Sequence, residues 1–178
     1  DGVGFTRALE KEAKFNFLNK SIYVIGAGGA SYGIISELIK KKVQKIYVTN
    51  RTEQKTTELL SFFTSRNKDV NFEFIDWEGL SPGSDVDLVI NTTSFGMKEN
   101  ECLKIDTNNL KDILIFVDII YSPKETELLK LFKKEGFFCM NGLSMLIEQA
   151  AVSFELWFNI SLNNKDIEEV KKICEASY

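Results

Sequence analysis

The sequence predicts an α/β protein built on a doubly wound, mostly parallel sheet with helices on both faces. Short β-branched segments alternate with longer segments of helical periodicity along most of the chain, a pattern typical of parallel strands joined by helices. The strand segments are almost continuously apolar, as expected where both faces of a sheet are covered. A third observation is the glycine-rich turn VIGAGGASYG at residues 24–33, which follows the first strand segment and opens a helix.

In the first half of the chain, apolar residues at near-helical spacing predict a helix over residues 5–17, and the segment SIYVIG predicts a buried strand over 21–26. Apolar side chains share one side of the next predicted helix, and Thr52 opens the helix after it. Phe72 and Phe74 alternate with polar residues, which is the period of a strand. These elements are a helix over 30–42, the strand KIYVTN over 45–50, a helix over 52–65 and the strand NFEFID over 71–76.

The second half adds three strands and three helices. The helix that follows Gly142 is long and apolar, whereas the last helix is amphipathic. Pro82-Gly83 and Asn163-Asn164 are the clearest loop signals. The strands are DVDLVINTT (85–93), ILIFVDII (113–120) and FFCMN (137–141), and the helices span 125–135, 142–158 and 166–175.

Composition limits the possible functions. The 178 residues suit one domain, or one large domain with an appendage, and 44% apolar with 27% charged residues support a packed core. A net charge of −4, a pI near 5.1 and the lack of a long basic run argue against nucleic acid or an anionic membrane as partner. The apolar run 113–121 is broken by Asp118 and is too short to span a bilayer. Since no signal-peptide pattern opens the sequence, we expect a cytoplasmic protein.

The side chains also exclude several kinds of site. Cys102, Cys139 and Cys174 are scattered and show no CxxC spacing, so we expect reduced thiols and neither a metal site nor a disulfide scaffold. The sequence contains no histidine. Any proton transfer must therefore use Asp, Glu, Lys, Tyr or water.

The strand–turn–helix setting of the glycine-rich turn predicts a Rossmann-like dinucleotide site. Gly26 suits the tight turn, and Gly28 lets a pyrophosphate approach the backbone. The next two amides lie at a helix N-terminus, which attracts anions. Ser31 stands at the third small position of the motif, where Gly or Ala is usual. A glycine turn without a ligand is the alternative. The residues expected to bind the cofactor are Gly26, Ala27, Gly28, Gly29 and Ala30.

The end of the second strand indicates which dinucleotide binds. NAD sites usually place an acid about 20 residues past the glycines, but this strand ends in Asn50, Arg51 and Thr52. Arg51 offers a planar fork suited to phosphate, and Lys55 lies one helical turn further on. Cations in a first helical turn oppose the helix dipole, which favours a functional role over a solvated helix end. We therefore predict NADP(H), bound by these four residues.

Five further residues are candidates because of where they lie. Thr92, Thr93 and Ser94 follow the fourth strand and are expected to line the cofactor cleft, although hydroxyls there are also ordinary turn formers. Tyr121 follows the fifth strand, at the edge where ligands bind in open α/β sheets. Its hydroxyl suits a substrate carboxylate or hydroxyl, and a Tyr that covers the sheet end is the alternative. Gln149 lies in an apolar helix, where its amide needs a partner in the core or on a substrate.

Several motifs in order resemble the cofactor-binding half of the shikimate dehydrogenase family. They are GAGGAS, NRT, NTTSFGM (91–97), DIIYSPKETELL (118–129) and NGLSMLIEQAAVSFELW (141–157), with DGVGF resembling the end of the family's N-T-D-G-x-G segment. The resemblance implies reversible, NADP-dependent reduction of 3-dehydroshikimate to shikimate, a step of aromatic amino acid biosynthesis. It also implies a small-molecule substrate and leaves a monomer or a homodimer open.

The resemblance assigns roles to individual residues. In the family an Asp and a Lys share the proton transfer; the Asp maps to Asp1, which also contacts substrate together with Tyr121 and Gln149. The Lys belongs to an N-terminal substrate domain that this sequence does not show, so we expect these 178 residues alone to be inactive. The resemblance places Ile119, Gly142 and Met145 at the nicotinamide.

The expected domain organisation has three parts. Residues 1–20 form a hinge segment and linker helix, 21–160 the NADP-binding domain, and 161–178 a C-terminal helix that packs back on a substrate domain. Two alternatives remain open: a quinate/shikimate dehydrogenase that uses NAD, and a non-catalytic relative that regulates or only binds cofactor. Glutamyl-tRNA reductase also pairs a glycine turn with NRT, but the acidic pI and the cysteine settings disfavour it.

Overall fold

The computed structural model describes residues 1–98, 101, 103–108, 110 and 114–176. Among these residues, six strands form one sheet in the order β3-β2-β1-β4-β5-β6, and every neighbouring pair is parallel. The strands are β1 Ser21–Ile25, β2 Lys45–Thr49, β3 Asn71–Phe74, β4 Leu88–Asn91, β5 Ile115–Asp118 and β6 Phe138–Met140.

The strand order reverses between β1 and β4, which creates a crevice at the carboxyl edge of the sheet. Ile25 pairs with Thr49 on one side and with Asn91 on the other, and Asn91 pairs with Asp118. The segments that follow these four strands therefore leave the sheet side by side. This register brings together the predicted glycine, NRT and NTTS segments.

In the part of the chain that the structure describes, six helices accompany the sheet, and a 3-10 turn at Trp77–Gly79 follows β3. No described helix is long and apolar enough to cross a membrane. The predicted fold class is confirmed, and each predicted helix and strand is present within a few residues of its predicted bounds. The helices are α1 Gly2–Glu12, α2 Gly29–Lys40, α3 Glu53–Thr64, α4 Glu127–Lys134, α5 Leu143–Phe158 and α6 Asn164–Ala176.

The two faces of the sheet are covered differently. One face packs against α1, α2, α3 and the start of α5 in a continuous apolar core. The other face packs against α4 and against non-helical segments that contribute Leu80, Val86, Leu103 and Ile105. Helix α6 packs on α5 through Ile167.

Several predicted boundaries need correction, including those of the fourth strand, which spans Leu88–Asn91 and not 85–93. The first helix ends at Glu12 instead of residue 17, because Lys14 adopts a left-handed φ of 51° and the buried Phe17 lies in the loop. The third strand ends at Phe74, since Asp76 instead caps the 3-10 turn by accepting a bond from the Glu78 amide. The fifth strand begins at Ile115; position 113 of the prediction, like Cys102, lies outside the described residues.

Helix α1 is held closely against two other helices. A Cβ at Gly2 would lie 2.1 Å from the carbonyl oxygen of Gly33 in α2, and a Cβ at Gly4 would lie 2.7 Å from the Gln149 amide nitrogen in α5. Lys11 also pairs with the buried Glu148 of α5 at 2.6 Å. The glycines of the opening DGVG segment therefore serve close helix packing.

Candidate functional site

A cleft of about 250 Å³ opens at the carboxyl edge, where the strand order reverses. Ten of its lining residues are predicted site residues: Gly26, Ala27, Gly28, Asn50, Arg51, Thr52, Lys55, Thr92, Thr93 and Ser94. Trp77 and Phe95 complete the lining and were not predicted. Each is the first aromatic residue after the end of its strand, which is a sequence signal that could have identified them.

The glycines of the turn differ in whether the fold itself requires glycine at their positions. Gly26 has φ +115°, and a Cβ there would lie 2.4 Å from the Thr92 hydroxyl oxygen, so the fold itself requires glycine. Gly28, the N-cap of α2, has φ −98° and ψ −173°, which any residue adopts. A Cβ at Gly28 or Gly29 would meet nothing within 4 Å. The space beside these two residues, at the amides of the first turn of α2, is where a dinucleotide phosphate fits.

Ser31, the unusual residue of the motif, ties the glycine turn together. Its buried hydroxyl accepts a bond from the Gly28 amide at 3.2 Å and lies 2.9 Å from the Gly26 carbonyl oxygen. It also lies 2.7 Å from the Thr92 hydroxyl, which donates to the Ile25 carbonyl oxygen. Because the Gly28 amide is satisfied internally, an anion would meet the amides of Gly29 and the next residue.

The end of β2 presents cations to the cleft. The Asn50 amide donates to the Thr52 carbonyl oxygen at 2.9 Å, and Thr52 is the N-cap of α3. Arg51 and Lys55 are exposed, and both line the cleft. Glu53 begins α3 but is not among the described residues that line the cleft.

A buried carboxyl joins the loops that follow β4 and β5. Asp118 accepts bonds from the Asn91 side-chain amide at 3.0 Å, the Ile120 amide at 3.1 Å and the Thr126 hydroxyl at 2.7 Å. Asn91 in turn accepts from both the amide and the hydroxyl of Thr93. Burial raises the pKa of Asp118 to about 6, although its three donors each lower it. Asp118 therefore connects the end of β4 to the segment that follows β5.

The residues predicted to meet the nicotinamide lie where β5 approaches α5. A Cβ at Gly142 would lie 1.8 Å from the Ile119 carbonyl oxygen, and the Gly142 amide donates to Ile120. The protein's own backbone therefore requires glycine at 142, apart from any ligand. Ile119 is half-buried, while Met145 is 8% exposed and packs in the main core.

Two of the three predicted substrate residues lie around the same end of α1. Asp1 is the exposed N-cap of α1 and lies beside Gly33 of α2. Gln149 is half-buried in α5, with its backbone against Gly4, one turn along α1 from Asp1. Tyr121 follows β5 at the carboxyl edge and is 42% exposed. Among the described residues, no group of His, Cys, Asp or Glu side chains is placed to hold a metal ion.

The parallel sheet and the glycine turn at its reversal point define a Rossmann-like α/β domain. Comparison with known families is more specific: residues 8–128 match the shikimate / quinate 5-dehydrogenase family, and residues 142–170 match the shikimate 5′-dehydrogenase C-terminal domain. The chain belongs to the shikimate/quinate dehydrogenase family, as the motifs indicated.

Individual relatives agree with this assignment. A curated NADP(+) shikimate dehydrogenase from Geobacillus sp. (strain WCH70) is 36% identical over 174 residues, which are 97% of this chain and 61% of the relative. The crystal structure of Listeria monocytogenes shikimate 5-dehydrogenase with shikimate and NAD is 29% identical, with a TM-score of 0.84 over 96% of this chain and 61% of that chain. A ligand-free 5-ketofructose reductase of Gluconobacter sp. strain CHM43 is 26% identical, with a TM-score of 0.86 over 97% and 62%. The chain thus spans about three-fifths of each.

Proposed function

We propose that this chain is the NADP(H)-binding part of a shikimate dehydrogenase, which reversibly reduces 3-dehydroshikimate to shikimate. The observation that carries the proposal is the open space beside Gly28 and Gly29 at the start of α2, next to two exposed cations. A fold with no ligand there would not need both glycines. The curated relative from Geobacillus carries the same activity in its name.

The choice of NADP(H) over NAD(H) rests on Arg51 and Lys55. A 2′-phosphate on the adenosine ribose brings negative charge to the end of β2, where these side chains line the cleft. The related Listeria structure contains NAD, so membership of the fold alone does not determine the cofactor, and the proposal of NADP(H) depends on these two side chains. A quinate/shikimate dehydrogenase that uses NAD is the second candidate.

The chemical step needs a hydride carrier and a proton carrier. Bound NADP(H) supplies or accepts the hydride at the substrate carbon. Asp1 takes part in the proton transfer at the substrate oxygen together with the lysine that the family resemblance places in the substrate domain, and the exposed Asp1 carboxyl has no bond to the first turn of α1. Gln149 and Tyr121 hold substrate hydroxyl or carboxylate groups, while Ile119, Gly142 and Met145 shape the nicotinamide end. Since these groups come from α1, α5 and β5, the arrangement depends on close packing of α1.

Exposed apolar side chains at the end of α5 support a contact with a further domain. We propose that residues 1–20 link to a substrate domain like that of longer relatives, that 21–160 bind cofactor, and that 161–178 pack against the substrate domain. At the end of α5, Leu156 is 77% and Trp157 79% exposed. Apolar side chains exposed together favour a covered surface in the complete enzyme.

Titration of the purified chain with NADPH and NADH at one ionic strength tests the cofactor assignment. We expect NADPH to bind at least tenfold more tightly, a difference of about 1.4 kcal/mol or more, and Arg51→Ala to remove most of it. Arg66→Ala is the matched control, because this exposed arginine lies beyond the end of α3 and bonds the Phe62 carbonyl oxygen. Equal affinities for the two cofactors would favour the NAD-dependent alternative.

Turnover tests the catalytic assignment. We expect the chain alone to oxidise shikimate negligibly. We expect a fusion of the chain to the part of the Geobacillus relative that it does not match to oxidise shikimate at a measurable rate. In that fusion Asp1→Asn should lower kcat about a hundredfold, the usual scale for a positioned acid–base group. A fusion that binds NADPH and stays inactive would support the non-catalytic alternative.

A further inference from the structure

Arg51 lies against two aromatic side chains, Phe95 and Trp77, to which the sequence analysis assigns no role. Its guanidinium carbon is 5.4 Å from the centroid of the Phe95 ring, within the range of a cation–π contact. The Phe95 ring lies 5.9 Å from the Trp77 ring at an interplanar angle of 40°. The three side chains come from the segments after β2, β4 and β3, and all line the cleft. Three separate connections therefore meet at one place.

Hydrogen bonds hold the backbone of Phe95 in place. The Phe95 amide donates to the Thr93 hydroxyl at 3.1 Å, and the Phe95 carbonyl oxygen accepts from the buried Asn91 side chain at 3.3 Å. These two bonds fix the backbone of Phe95 within the loop. Asn91 is held in turn by Asp118. By contrast, Arg51 is exposed, and a long free side chain loses rotamer entropy when it binds a ligand. A ring that already orders the guanidinium lowers that loss.

We propose that Phe95, backed by Trp77, is a positioning residue that holds the Arg51 guanidinium ready for the phosphate on the adenosine ribose. This inference rests on the proposed function, because it requires Arg51 to meet that phosphate. Phe95 would then contribute to the preference for NADP(H) over NAD(H) without contacting the phosphate itself. Its contribution should vanish when Arg51 is absent.

A double-mutant cycle on the chain tests the proposal. Dissociation constants for NADPH, NADH, adenosine 2′,5′-bisphosphate and AMP are measured for the parent, Phe95→Leu, Arg51→Ala and the double variant. We expect Phe95→Leu to weaken both 2′-phosphorylated ligands about two- to fivefold, the scale of an exposed cation–π contact, and to leave NADH and AMP unchanged. Phe95→Tyr keeps the ring face and should restore the parent affinities. In the Arg51→Ala background, Phe95→Leu should have no further effect.

The outcomes separate the two proposals. If Arg51→Ala leaves NADPH affinity unchanged, the cofactor assignment itself is wrong. If Arg51→Ala weakens NADPH but Phe95→Leu matches the parent, or weakens all four ligands equally, the positioning role is wrong and the cofactor site stands. Should Phe95→Leu lower the urea midpoint, Trp77→Leu provides the same comparison, with a smaller loss that is again confined to 2′-phosphorylated ligands.

Discussion

Asp118→Asn is expected to remove a pH dependence from the stability of this protein. The side chain is fully buried and accepts three hydrogen bonds, from Asn91, Ile120 and Thr126. Burial nevertheless raises its pKa from the ordinary 3.8 to about 6. An Asn has nearly the same shape, and the Thr126 hydroxyl, which donates to the Asp118 carboxylate, can turn to accept a bond from the Asn amide. The substitution therefore removes the titration while it keeps most of the network.

The direction follows from where the proton is held. Between pH 4 and pH 6 the folded protein keeps a proton on Asp118 that the unfolded chain has lost, so this group's contribution is present at low pH and is lost as pH rises. The difference between a pKa of 3.8 and one of about 6 corresponds to about 3 kcal/mol in total. Relative to Asp118→Asn, the parent should lose about 2 kcal/mol between pH 4 and pH 7 and nothing more above pH 7.

Urea unfolding at pH 4 and pH 7, followed by far-UV circular dichroism, measures the difference between parent and variant at each pH. Taking this difference cancels the titrations that both proteins share. Thr126→Val is the informative companion, because loss of a donor that lowers the pKa of Asp118 should extend the pH-dependent loss to higher pH. A difference that is constant within about 0.5 kcal/mol, or a parent that gains stability with pH, would show that the hydrogen bonds outweigh burial.

Four further substitutions test the turn and the β5–α5 contact. Gly28→Val should abolish NADPH binding with little change in the urea midpoint, and normal NADPH binding by this variant would show that the turn is purely structural. Gly26→Ala should instead cost about 1–3 kcal/mol of stability, because Gly26 has a positive φ. Ser31→Ala should cost about 1–3 kcal/mol, since it leaves the bonded groups without their buried partner, and an unchanged midpoint would contradict the role given to its hydroxyl. Gly142→Ala should unfold at lower urea than the parent because its Cβ would overlap the Ile119 carbonyl, and parental stability would show that this contact is loose.

The fold was predictable because the spacing of apolar residues within each short segment indicates whether that segment forms a strand or a helix. Four of the six described strands are short segments rich in Val, Ile and Thr, and β3 and β6 are short segments with Phe. The helices repeat their apolar residues about every three to four positions. The first helix shows where this fails: Phe17 has helical spacing relative to Ala13, yet its burial is achieved from a loop beyond Lys14. Periodicity reports that a residue is buried, and it does not report which backbone conformation buries it.

The site was predictable only as far as its motifs are contiguous. The glycine turn, NRT and NTTS segments each lie after a strand, so parallel pairing brings them together. The contact between Arg51 and Phe95 joins residues 44 positions apart in the chain, as their numbers show, and depends on the register of β2, β1 and β4. Nothing local in either segment specifies it.

The glycines show most clearly what a sequence leaves undecided. Gly26, Gly28 and Gly142 are equivalent as letters, but a Cβ would strike the protein at Gly26 and Gly142 and would meet open space at Gly28. Only a glycine such as Gly28, whose Cβ would meet open space, has room beside it for a ligand, because the packing of the fold does not require glycine there. A site is therefore indicated by the glycine that packing does not explain, and this distinction is why Gly28, and not its neighbour at 26, is the substitution that separates binding from folding.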